Sequence, residues 1–251
     1  MPHRVNPVTL KGLPCRSDNI RMTLNPMRTA PFLSLFTFTI VVFVIQAAIP
    51  ESVLLRQLIT VTYLYSIWLA LSASNARVAV RALLLGVWAT TVAFRVLSVP
   101  GMELVFMVAS RLSGALLLAV CVVSIGRFML ISPRVTTDTL FAAAVVYVLS
   151  ASAFGQVFTA LHILVPDAFH IPQHLAHQLA TNPDQLFNYF SFVTMATLGY
   201  GEILPRHPLV QVLVSLETVM GQLYVAVVVA WLVGHVAYGR TAVLPEKRNH
   251  Q

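Results

Sequence analysis

Apolar residues in this chain come in long runs, separated by short polar junctions. Six runs are long enough for a membrane-crossing helix, which needs roughly 20 mostly apolar residues. They are Phe32–Ile49, Val53–Ser72, Ala82–Val99, Met102–Phe128, Leu140–Leu164 and Pro208–Tyr238. Breakers mark the junctions between them: Pro50, Asn75, Pro100–Gly101 and Pro133. Within the runs a period of 3.6 is weak, as in helices that are apolar on all sides. They also lack the apolar–polar alternation of barrel strands. The pattern predicts an all-α membrane protein with both termini on one side.

One stretch breaks the pattern. Residues 165–207 open with polar residues, among them Asp167, His170, His174 and His177. Asn182-Pro183-Asp184 then reads as a helix start, with Asn as cap and Pro in the first turn. The apolar stretch that follows, Gln185–Ala196, has 12 residues and would be about 18 Å long as a helix. That is too short to cross and suits a re-entrant segment. It ends in Thr197-Leu198-Gly199-Tyr200-Gly201, followed by Glu202 and Pro205. Two glycines around a tyrosine do not continue a helix. Non-helical backbone at membrane depth is tolerated only inside protein or along a water-filled path.

Composition narrows the class. Of 251 residues, 57% are apolar and 10% charged, against about 45–50% and about 25% in soluble domains. A soluble enzyme, a disordered tail and a nucleic-acid-binding module are excluded. The net charge of +7 reflects few carboxylates. Twelve of the sixteen basic residues fall on one predicted side: Arg4, Lys11, Arg16, Arg21, Arg28, Arg77, Arg81, Arg127, Arg134, Arg240, Lys247 and Arg248. By the positive-inside rule both termini are cytoplasmic. Residues 1–30 have no apolar core and read as a basic cytoplasmic tail. Residues 239–251 read as a short second tail. Cys15 and Cys121 define no disulfide framework.

The segment Thr197–Gly201 resembles the selectivity filter of potassium channels, with Leu198 where the consensus has Val. The likeness extends through Glu202 and Pro205 to Gly221, and covers residues 139–238. In particular it is similar to small bacterial ion-channel proteins, which implies a bacterial inner-membrane location. It also implies a pore domain over 138–238, behind a four-helix transmembrane half at 31–134. Backbone carbonyls of Thr197, Leu198, Gly199 and Tyr200, with the Thr197 hydroxyl, would replace the hydration shell of K⁺. Tyr200 would pack behind the filter. One motif per chain implies a homotetramer, so the partners are K⁺, three further copies and membrane lipid, with no cofactor and no nucleic acid.

The resemblance also assigns supporting residues. Gly221 corresponds to an inner-helix hinge. Gln222, Val225, Val229 and Val233 would line the pore, or else pack on the fifth run. Many relatives carry a carboxylate four residues before the filter Thr, paired with an Asp after it; this chain has Val193 and Glu202 there. Glu217, alone as a carboxylate within its run, supports the filter through a partner such as Thr194 or Tyr189, or is a protonated structural acid.

Two further expectations concern charge. A voltage sensor needs an array of Arg in the fourth run, which has Arg111 and then nothing before Arg127. Arg95, Glu103 and Arg111 are expected to form a structural ion pair. His170, His174 and His177 form a polar outer loop, a pH sensor or a metal site, with His174 and His177 sharing a face if helical. The alternatives to a K⁺ channel are a weakly selective cation channel and a secondary transporter. A transporter would be expected to show broken helices in both halves, and only one half contains such an element.

Overall fold

The computed structural model describes residues 31–48, 78–96, 101–131 and 136–241. Both tails' ends and the second predicted run, Val53–Ser72, lie outside these residues. The described chain is almost wholly helical: α1 (Pro31–Ala48), α2 (Val78–Val96), α3 (Glu103–Ile131), α4 (Thr137–Leu164), α5 (Ala176–Thr181), α6 (Pro183–Met195) and α7 (Pro208–Thr241). Among the described residues α3, α4 and α7 are long and apolar enough to cross a membrane. The chain is an all-α membrane protein.

Helix ends differ from the apolar runs where polar caps set them. α4 begins at Thr137, earlier than the apolar run suggests, because Thr136 and Thr139 form a reciprocal capping box. Asp138 in its first turn also reaches across to α1, accepting the backbone N–H groups of Phe32 at 2.9 Å and Leu33 at 3.3 Å. It thereby satisfies two of the donors that a helix start leaves unpaired. α3 continues to Ile131 and α7 to Thr241, a few residues past the ends expected from hydropathy.

α4 is the central helix, packing against α1, α3, α6 and α7. Two cores lie along it. One gathers Phe32 and Leu35 of α1, Leu117, Leu118 and Ile125 of α3, and Val145 and Leu149 of α4. Tyr224, Val228 and Trp231 of α7 close it. The second joins Phe158 of α4 to Leu186, Phe187 and Phe190 of α6, Phe169, and Val210 of α7. Its rings meet at 4.8 Å for Phe169–Phe187 and 5.4 Å for Phe158–Phe190, within the range of favourable aromatic pairs.

Close approach of α4 and α6 depends on Gly155. A Cβ there would overlap Asn188 Oδ1 and lie 3.0 Å from the Asn188 Cα. Small residues let helix backbones approach in this way inside membranes. A two-stranded ribbon, β1 (Phe169–His170) against β2 (Leu204–Pro205), joins the loop before α6 to the loop after Gly201.

Candidate functional site: the end of α6 and its supports

The local sequence builds α6 as expected at its start. Asn182 Oδ1 accepts the Gln185 N–H at 3.2 Å, and Pro183 occupies the first turn. The helix ends at Met195, and its last turn closes by a paired arrangement. Leu198 N–H donates to the Val193 carbonyl at 2.9 Å and Thr197 N–H to the Thr194 carbonyl at 2.9 Å. This is the Schellman pattern, whose left-handed position is usually glycine. Here that position is Thr197, with φ of 59°. A β-branched residue in that region is a genuine outlier and costs about 1–3 kcal/mol. Gly199 and Gly201 also have positive φ, 54° and 78°, where glycine carries no penalty. From Leu198 the chain leaves the helix and is exposed, Leu198 by 58% and Tyr200 by 64%.

Behind this segment lies a cleft of 40 Å³, lined by Tyr189, Val193, Thr194, Tyr200, Glu202 and Ile203 among others. Tyr200 borders the cleft but is mostly uncovered within one chain. Tyr189 Oη donates to Glu202 Oε2 at 3.2 Å, so these two expected supports do meet. Thr194 is buried, and its carbonyl serves the Schellman turn.

Glu217 has a different partner from the two expected. It is fully buried on α7 and contacts Ser191 Oγ of α6. Ser191 Oγ also lies 2.6 Å from the Ala151 carbonyl oxygen of α4. A serine hydroxyl holds one proton, and a carbonyl can only accept. With the serine proton given to Ala151, the second contact requires a proton on the Glu217 carboxyl. A neutral acid satisfies both contacts and leaves no charge on Oε2, which has no partner among the described residues. Glu217, Ser191 and Ala151 thus tie three helices at one point. Sequence reasoning missed Ser191. Its signal was a hydroxyl inside the buried stripe Phe187, Phe190, Ser191, Thr194.

Gly221 lies where α7 crosses the end of α6. A Cβ at Gly221 would overlap the Met195 carbonyl oxygen and lie 2.9 Å from Met195 Cγ. The helix runs unbroken through this point, and what the geometry displays at Gly221 is close approach. Gln222, Val225, Val229 and Val233 are exposed, and it is Tyr224, Val228 and Trp231 that pack inward. Tyr224 Oη donates to the Ala143 carbonyl of α4 at 2.6 Å.

The remaining charged expectations change. Arg111 of α3 does not pair with Glu103. Its Nε lies 2.6 Å from Asp184 Oδ1, in the first turn of α6. Arg95's side chain is outside the described residues. His174 lies in a 3₁₀ turn that runs directly into helix α5, which carries His177. His170 sits on β1 with Nδ1 3.2 Å from Arg206 Nη2. Among the described residues no three His, Cys, Asp or Glu side chains gather as a metal site.

Comparison with known proteins bears on this C-terminal part. Residues 186–236, from α6 into the last turns of α7, match the family described as "Ion channel". No curated protein and no solved structure matches the chain. Over residues 186–236 the chain is thus similar to an ion-channel family.

Proposed function

We propose that the chain is one quarter of a K⁺-selective channel, with Thr197–Gly201 as its filter. The observation that carries this reading is the Thr-Leu-Gly-Tyr-Gly segment leaving the end of a 13-residue helix in non-helical backbone. Carbonyls of Thr197, Leu198, Gly199 and Tyr200 would take the place of water around the ion. One chain supplies one arc of each oxygen ring, so four chains are needed around the axis. The large uncovered surface of α7 supports this, since Gln222, Val225, Val229 and Val233 can face a cavity and the rest neighbouring copies or lipid. A constriction of valines can close by dewetting. Both termini would face the cytoplasm of a bacterial cell. With Arg111 and Arg127 far apart as the arginines of α3, gating by an arginine array is not part of the proposal.

A second reading, a weakly selective cation pore, is favoured by one feature. Val193 stands where relatives carry a carboxylate, and the cleft beside it has room for water. A filter backed by a cleft is less firmly held than one backed by a carboxyl pair. Reconstitution in liposomes with K⁺ on one side and Na⁺ on the other separates the readings. A reversal potential that follows K⁺ is expected. One that tracks both ions equally would select the second reading, and one that ignores K⁺ would end both.

A further inference from the structure

The ion pair between Arg111 and Asp184 gives the N-terminal helices a direct hold on the pore. α3 packs broadly on α2 and α4, and it reaches α6 through this contact, at 2.6 Å. Both side chains are largely buried, 16% and 20% exposed. Asp184 follows the cap Asn182 and Pro183 directly, so the carboxylate also faces the positive end of the helix dipole. A guanidinium at membrane depth needs a partner. Here the partner stands on the rod that carries Thr197–Gly201, outside Arg111's own bundle.

That rod is short and stiff. Its far end is locked to the following segment, since Leu198 N–H bonds to the Val193 carbonyl within the helix. Beside the aromatic core around Phe187 and Phe190 and the Gly155–Asn188 approach, specific contacts hold it along its length: Arg111 at the N-terminal end, Ser191 with Glu217 and Ala151 in the middle, and Met195 against Gly221 at the C-terminal end. Two of these come from the helices flanking the pore. From the N-terminal half come the Arg111 ion pair and, among the described residues, the edge-to-face contact of Phe43 of α1 with Phe192 at 5.4 Å; of these the ion pair holds the N-terminal end of the rod. Without the ion pair the N-terminal end keeps its apolar packing but loses its polar hold, and a change of tilt there is carried along the rigid helix to the filter.

We infer that Arg111 is a positioning residue for the filter: through Asp184 it fixes the tilt of α6, so the N-terminal helices act on conduction at the filter. The inference rests on the channel reading above for its electrical consequences. The test uses the full chain in liposomes, with Arg111→Gln, Asp184→Asn, both together, Arg111→Lys, and the exchange Arg111→Asp with Asp184→Arg. Each neutralisation is expected to lower the K⁺/Na⁺ permeability ratio on the order of tenfold. The double neutralisation should be no worse than either alone, Arg111→Lys should retain most of the ratio, and the exchange should restore part of it. Hydrogen exchange of the 193–201 amides is read on the same samples and should quicken in both neutralised forms.

An assembled Arg111→Gln channel with the original permeability ratio and amide protection would overturn the inference. So would neutralisations whose effects multiply. If Arg111→Gln fails to assemble, Asp184→Asn decides by the same two measurements. Absence of K⁺ selectivity in the unaltered protein would strike the channel reading, while amide exchange would still decide the role of Arg111.

Discussion

α4 and α7 are both long, both apolar, and both flank the α6 segment. Yet 56% of α4's most apolar window is buried within the chain, against 11% for α7. Apolarity tells that a helix lives in a membrane; it does not tell what the helix packs against. The polar and small residues carry that information. α4 bears Ser150, Ser152, Gly155 and Thr159 amid its apolar residues, and neighbours approach it there. α7 confines its contacts to one stripe through Val210, Glu217, Gly221, Tyr224, Val228 and Trp231. The rest of its surface is left uncovered by the other described residues.

The sharpest way to break this comparison is to place the same polar group on each helix. Val145 of α4 is 1% exposed and Val229 of α7 is 52% exposed. Val145→Asn should destabilise the folded chain by about 3 kcal/mol, combining lost apolar packing with a buried amide lacking partners. Val229→Asn should leave the thermal midpoint nearly unchanged while altering ion flux. Equal loss of midpoint in both would mean that α7 is as enclosed as α4. Next in size is Gly221→Ala, which tests the one place where α7 is packed as tightly as its neighbour. The added methyl meets backbone at Met195 and should cost about 1–3 kcal/mol, read as a lowered midpoint; an unchanged midpoint would show that the crossing has slack.

The smallest effect belongs to Glu217, where the two helices meet through Ser191. Glu217→Gln keeps a donor for the serine oxygen and should behave almost as the unaltered protein. Glu217→Leu removes the donor and should cost about 1 kcal/mol. If Gln proves as harmful as Leu in thermal stability and ion flux, the neutral-acid arrangement is wrong.

How far the chain could be read in advance depended on whether a feature was local. Asn182 and Pro183 announced the start of α6, because a cap is decided by neighbours in sequence. The short apolar stretch and its glycines located the non-helical segment for the same reason. Arg111's partner was not legible: Glu103 is near in sequence, whereas Asp184 becomes near only when α6 folds back against the α3–α4 pair. Glu217 was recognised as unusual, but its contact with Ser191 depends on the rotation of two helices about their axes, which a weak apolar period does not fix. Gly199 and Gly201 adopt the positive φ that glycine permits. The first left-handed position falls on Thr197, where the residue type gives no local sign of it.

That position carries a consequence of its own. A glycine at residue 197 would sit in the same backbone shape without penalty, so the threonine makes the fold less stable than it needs to be. Stability surrendered at one residue is characteristic of places where a side chain has another task. In the proposed reading the Thr197 hydroxyl would help replace water around the ion. The structure thus separates two demands that coincide at most positions: what the chain requires in order to fold, and what a passing ion requires of the chain.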